Sequence, residues 1–144
     1  MMIIPVADGF WNIRGVHRIG GLLDVGTQAS LVRRASGAFL LLDSYTLPAA
    51  AKREIDALTG GGEAIEAILN LHPFHTVHVA AMHRLYPRAR LYGTARHHAR
   101  LPDLPWETAR TDEPALHARF ADDLDFSVPR GVELVPADER VHFS

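Results

Sequence analysis

Three histidines fall within seven residues of this 144-residue chain, in the stretch Leu71-His72-Pro73-Phe74-His75-Thr76-Val77-His78. Neutral imidazoles that converge can bind a borderline metal such as zinc at about 2.0–2.1 Å, and a zinc that keeps one position for water turns that water into a nucleophile at neutral pH. With a helix beginning near Thr76, His75 and His78 project to one side of its first turn, while His72 sits on the preceding strand end facing the same crevice. The competing reading makes Pro73 and Phe74 an ordinary tight connection whose three imidazoles cap or face solvent. No Asp or Glu stands inside the window to orient an imidazole or act as a base.

The elements around this window follow from periodicity. Asp24 to Arg34 alternates and Ala38-Phe39-Leu40-Leu41-Leu42 is a short apolar run, with Ser36-Gly37 as the hairpin between them; Val16 to Gly20 alternates weakly. An apolar strand such as Phe39 to Leu42 is expected where helices cover both faces of a sheet. Thr46 as N-cap, Pro48 in the first turn and good helix formers from Ala49 to Leu58 predict a helix that Gly60-Gly61-Gly62 ends. Ala64 to Leu71 then reads as a strand returning parallel to Phe39 to Leu42. A helix is expected over Thr76 to Tyr86, with Val79, Met82 and Tyr86 on one face and Pro87 as its stop. Arg90 to Gly93 is a short strand, and Thr94 caps a short helix through His97 and His98. Leu116 to Leu124 holds a further helix, Val132 to Val135 a last strand, and Trp11 and Trp106 fall in loops. The histidines thus join a strand end to a helix start, where open α/β sheets gather ligands.

Composition bounds the rest. The length predicts one domain over residues 1–144. Absence of cysteine excludes disulfides and thiolate metal sites. Fifteen Lys and Arg against seventeen Asp and Glu give a net charge of −2, which argues against nucleic acid or anionic lipid as partners. No apolar run reaches the about 18 residues of a membrane span, and the N-terminus lacks the basic start of a signal peptide, so a cytoplasmic location is expected. Arg96-His97-His98 with Arg100 reads as a solvated helix face. Protonating all nine histidines would carry the net charge from −2 toward +7, so a pH response is a further candidate.

The order of these elements resembles the N-terminal half of the metallo-β-lactamase superfamily. The residues that carry the likeness are a strand ending in Leu42-Asp43-Ser44, a helix, the strand from Ile65 into the histidine loop, a helix ending in Tyr86-Pro87, and Ala89-Arg90-Leu91-Tyr92. The resemblance covers about residues 16 to 144 and implies an α/β fold, a metallo-β-lactamase-like αββα sandwich present as its first half. In the family the Asp at the Asp43 position braces the metal loop, and that loop reads His-x-His-x-Asp-His. With the first histidine on His72, the positions of the other three ligands hold Phe74, Thr76 and Val77. The family's next ligand follows a strand in the second half, which makes His142 the fourth candidate beside His72, His75 and His78.

Two function classes follow. In the first, one zinc ion on His72, His75, His78 and His142 activates water against a small-molecule ester, amide or phosphoester, with Asp43 bracing the loop. In the second, the fold persists as a binding or assembly module that has lost the metal. Family members are built from two similar halves, so the domain is expected to be incomplete at its C-terminus. Either the chain is a fragment or truncation, or the open sheet is completed by a second copy in a homodimer.

Overall fold

The computed structural model describes residues 3–15, 18–19, 23–24 and 27–129. Antiparallel strands lead into two helical crossovers. β1 (Ile3–Ala7) pairs antiparallel with β2 (Phe10–Gly15), and β2 pairs antiparallel with β5 (Thr27–Arg33). Between these last two lie the short strands β3 (Arg18–Ile19) and β4 (Leu23–Asp24), which pair with each other. β5 turns back into β6 (Phe39–Leu42) through a tight loop in which the Gly37 N–H donates to the Arg34 carbonyl at 2.9 Å. From β6 onward the sheet is parallel: α1 (Ala49–Thr59) crosses to β7 (Ile65–Leu69), and α2 (Val79–Leu85) crosses to β8 (Arg90–Tyr92). The six strands lie in the order β1-β2-β5-β6-β7-β8. Two further helices follow, α3 (Ala95–Arg100) and α4 (Pro114–Arg119).

Strand periodicity sorts the side chains onto two faces. On one face the cross-strand row Trp11, Leu31, Leu41, Ile68, Leu91 spans five neighbouring strands, and Ala51 and Ile55 of α1 pack against it with Val79 and Met82 of α2 and with Tyr86. Leu31, Leu41 and Ile68 are fully buried, each contributing about 1.5–3 kcal/mol relative to exposure. The other face carries Val32, Leu40, Ala67, Leu69 and Tyr92 under Leu116 of α4 and Phe120. Layers on both sides of a mixed sheet are the architecture expected from the sequence. At the β1 edge the cover thins, and Ile4 and Val6 stay 42% and 56% exposed.

Several expectations need correction. The hairpin of β1 and β2 was not anticipated, and it places Trp11 on a strand rather than in a loop. α2 begins at Val79, three residues later than Thr76, because the chain first turns on itself: the His75 N–H donates to the His72 carbonyl and the Thr76 N–H to the Phe74 carbonyl, both at 3.0 Å. Thr46 does not cap α1, whose N-cap is Pro48 with no side-chain cap. The helix expected over Leu116 to Leu124 is the shorter α4. The strand at Val132 to Val135 and His142 lie outside the described residues. No helix among the described residues is long and apolar enough to cross a membrane.

Candidate functional site

The carboxyl ends of parallel β6, β7 and β8 open on one edge of the sheet, and the backbone there is committed to polar side chains. Asp43, just past β6, has a left-handed φ of 60°, a conformation that Asp tolerates because its short side chain bonds locally. Its N–H donates to the Leu69 carbonyl at 2.8 Å. Its Oδ1 accepts from the N–H groups of Leu71, at 2.8 Å, and of His72, at 3.3 Å. Beside it Asn70 is fully buried, accepting from the Ser44 hydroxyl at 2.7 Å and donating from Nδ2 to the Tyr92 carbonyl at 2.9 Å. The Thr111 hydroxyl donates to the Asn70 carbonyl at 2.9 Å. Every buried polar group named here is thereby satisfied, the condition for a buried polar network to hold one geometry.

Helix α3 grips the far side of the histidine loop. Thr94 and His97 form a reciprocal capping box in which the His97 imidazole takes the part usually played by Glu. His97 Nδ1 accepts from the Thr94 N–H at 3.0 Å, which assigns the ring proton to Nε2, and Nε2 donates to the His75 carbonyl at 3.2 Å. His97 is fully buried, and burial pushes its imidazole down to about 4, so it is neutral at pH 7. One residue earlier, the Arg96 guanidinium lies 4.6 Å from the centre of the Phe74 ring and donates to the Pro73 carbonyl at 3.4 Å. The close approach of α3 requires Gly93, where a Cβ would stand 2.8 Å from His97 Cβ.

This overturns the reading of Arg96 and His97 as a solvated helix face, since both are buried. The available signal was the spacing Thr94-x-x-His97, that of a capping box with His in place of Glu.

The three loop histidines do not surround one point. His72 and His75 lie face to face, with ring centres 4.1 Å apart and planes 16° from parallel. His78, in the N-cap position of α2, turns away to the other wall: its Nδ1 is 2.9 Å from the Thr46 hydroxyl and its ring stands edge-on to Tyr45 at 5.3 Å. His75 and His78 therefore share no helical turn. His72 Nδ1 accepts from the Phe74 N–H at 3.2 Å, which leaves the proton of the neutral ring on Nε2, whereas a histidine that ligates a metal through Nε2 donates from Nδ1. Among the described residues no group of three His, Asp or Glu side chains is placed to hold a metal ion. The donor chemistry suits zinc and the arrangement does not fit it.

A cavity of about 370 Å³ adjoins the loop through Leu71 and Pro73 and continues past Thr94, Thr111, His117 and Phe126, a volume within the range of small-molecule sites.

Comparison with solved structures decides the fold. The chain matches a metallo-β-lactamase from Hirschia baltica with a TM-score of 0.54 at 17% identity, over 76% of this chain and 51% of that one. This is the metallo-β-lactamase fold. It also matches the enzyme from Erythrobacter litoralis with β-mercaptoethanol in the active site, at TM-score 0.53 and 14% identity, over 76% of this chain and 48% of that one. FIM-1 from Pseudomonas aeruginosa in its mono-zinc form matches at TM-score 0.50 and 14% identity, over 75% and 48% of the two chains. The chain spans about half the length of these metallo-β-lactamases. No protein-family model and no curated protein matches it.

Proposed function

We propose that this protein is a cytoplasmic hydrolase acting on a small-molecule ester, amide or phosphoester, with its reaction centre at the loop from His72 to His78. The observation that carries the reading is the fastening of that loop. Asp43 and Thr46 from the segment after β6, and Arg96 and His97 from α3, hold its backbone or His78, and Thr111 holds the Asn70 carbonyl just ahead of it. Ordering a loop costs about 1–2 kcal/mol of backbone entropy per residue, and locking functional side chains through surrounding hydrogen bonds is what a reacting site requires. The metallo-β-lactamase fold and the position at the carboxyl ends of parallel strands support the same location.

Zinc is the cofactor that the fold's relatives suggest, FIM-1 in its mono-zinc form among them. His72 would have to release the Phe74 N–H before its Nδ1 side could take the part that a metal-ligating histidine needs. What the chain's own residues offer is the His75 imidazole, stacked on His72, as the group to take a proton from an attacking water and return it to a leaving group, while His72 Nδ1 stays committed to the Phe74 N–H.

The test uses the full chain, untagged, against chromogenic esters, amides and phosphoesters, with and without added zinc, beside His75→Ala and His72→Ala. Elemental analysis follows zinc addition and dialysis. Turnover in the parent that falls about 100-fold or more in His75→Ala supports the reading. About one equivalent of zinc, retained by the parent and lost by His75→Ala, would make the reaction zinc-dependent and show that the loop rearranges around the ion. No turnover on any class, with or without zinc, overturns the proposal in favour of a binding module.

A further inference from the structure

We infer that Thr46 and His78 are a nucleophile and its general base, and that an acyl group passes first onto the threonine hydroxyl before water removes it. As a route to hydrolysis this rests on the hydrolase reading above. As acyl transfer to Thr46 it stands alone.

The geometry begins with a hydroxyl that has been released from its expected task. Thr46 lies where an N-cap of α1 is expected, yet the helix takes Pro48 as N-cap and no side chain caps it. The exposed Thr46 hydroxyl instead lies 2.9 Å from His78 Nδ1, within the reach of about 2.6–3.2 Å over which an imidazole can take a proton from a nucleophile. The two residues are 32 apart in sequence, so the contact joins the carboxyl end of β6 to the start of α2 and no local turn dictates it.

The base is held in place. His78 occupies the N-cap position of α2, and its ring stands edge-on to the buried Tyr45. Tyr45 in turn fills the space over Gly15 at the end of β2, where an added Cβ would collide with the phenol ring. His78 Nε2 is buried within the protein, so the imidazole exchanges protons through Nδ1, the nitrogen that faces the Thr46 hydroxyl. A hydroxyl within reach of an imidazole that other groups orient is the arrangement of an activated nucleophile. It also gives the one loop histidine that turns away from His72 and His75 a task of its own.

In the reactive tautomer Nδ1 is bare and the ring proton sits on Nε2. The Thr46 hydroxyl proton passes to Nδ1 as Oγ bonds to the carbonyl carbon of an ester or amide, and an electron pair moves onto the carbonyl oxygen. That pair returns, the bond to the leaving alcohol or amine breaks, and the proton on Nδ1 goes to the leaving group. An acyl-threonine ester remains. Water then attacks its carbonyl, the step for which His75 serves as base, and the proton that water loses ends on Thr46 Oγ as the carboxylic acid departs.

The test mixes the full chain with p-nitrophenyl acetate, quenches at short and long times, and locates any acetyl group by intact and peptide mass spectrometry while nitrophenolate release is followed. A fluorophosphonate is run in parallel, since its adduct, formed as Oγ bonds to phosphorus and fluoride leaves, persists even where an acyl group is removed quickly. The expected result is modification of Thr46 by at least one probe, kept in Thr46→Ser, absent in Thr46→Val, and formed about 100-fold or more slowly in His78→Gln. Thr46 is exposed, and NMR spectra of the variants should show the parent fold. Modification confined to other residues, none by either probe, or labelling of Thr46 at an unchanged rate in His78→Gln overturns the inference.

The same experiment separates the two proposals. Hydrolysis by the parent that Thr46→Val does not slow leaves the hydrolase and removes the pair. Labelling of Thr46 that depends on His78, with no turnover of any ester, amide or phosphoester, leaves the pair and removes the hydrolase.

Discussion

The two ends of the parallel strands are fastened in different ways. At the amino end of β7, Gly62, with φ of 90°, lies so close beneath Tyr86 that an added Cβ would meet the ring at 2.6 Å. The Tyr86 hydroxyl donates to Asp56 at 3.1 Å, and Lys52 pairs with Asp56 while lying 5.7 Å from the Tyr86 ring centre. Steric fit and a local ion pair close that end. At the carboxyl end Asp43 and His97 spend side-chain polar atoms on backbone groups of a loop, and the buried Asn70 spends its Nδ2 on the Tyr92 carbonyl of β8. Burying a polar group costs free energy unless it is bonded, and even then the net return is small. Such an arrangement is a poor way to gain stability and a good way to hold a geometry, which is why the site is assigned to that end.

The sharpest way to break the comparison is pH. His97 is held at about 4 in the fold, with burial the main cause, against an ordinary 6.5. The unfolded chain therefore takes up this proton before the folded chain does. The stabilisation is complete above about pH 6.5, is lost progressively as pH falls, and is exhausted near pH 4. The difference is worth up to about 3 kcal/mol. Denaturant melts at pH 7.5, 6 and 5 should show the fall, and His97→Gln should flatten it. A melt that stays level between pH 7.5 and 5 would mean that His97 is not the neutral anchor of the loop.

A smaller effect belongs to the amino end. Gly62→Ala places a Cβ both against Tyr86 and in a left-handed conformation, and should cost about 2 kcal/mol. The ring signals of His72 and His75 in NMR spectra should stay in place, since the hydrogen bonds and ion pair of the Tyr86, Asp56 and Lys52 side chains are made with one another. A shift of those signals as large as that caused by His97→Gln would show that the two ends are coupled and remove the contrast.

What the sequence disclosed follows the same division. The run from Ala64 into the histidines is legible as a strand because apolar residues occupy both faces of β7, and Gly60 to Gly62 stops α1 where three glycines in a row must. β1 was hidden because Pro5 and apolar residues on both faces blur its alternation, and Pro is tolerated there because β1 is an edge strand. The helical window over Thr76 to Tyr86 placed the correct face inward but missed the turn at the loop, where three backbone bonds outweigh helical spacing. Arg96 and His97 escaped because charge in sequence suggests solvent. Their burial depends on Phe74 and the His75 carbonyl, about twenty residues away, which no local pattern reports.

The finest separation of position from stability falls on Asp43. Asp43→Ala removes both hydrogen bonds to the loop and places a residue less suited to positive φ, and should cost about 1.5 kcal/mol. Asp43→Asn keeps a side-chain oxygen for Leu71 and His72 and is nearly as tolerant of the left-handed conformation, so it should cost about half as much. Hydrogen exchange supplies the decisive readout. In Asp43→Ala the Leu71 and His72 amides should lose protection while those of β7 keep theirs, and in Asp43→Asn the loop amides should retain most of it. Equal loss across β7 and the loop in both variants would mean that the carboxylate stabilises the whole sheet end rather than fixing the loop, and the assignment of the two ends to different tasks would fall with it.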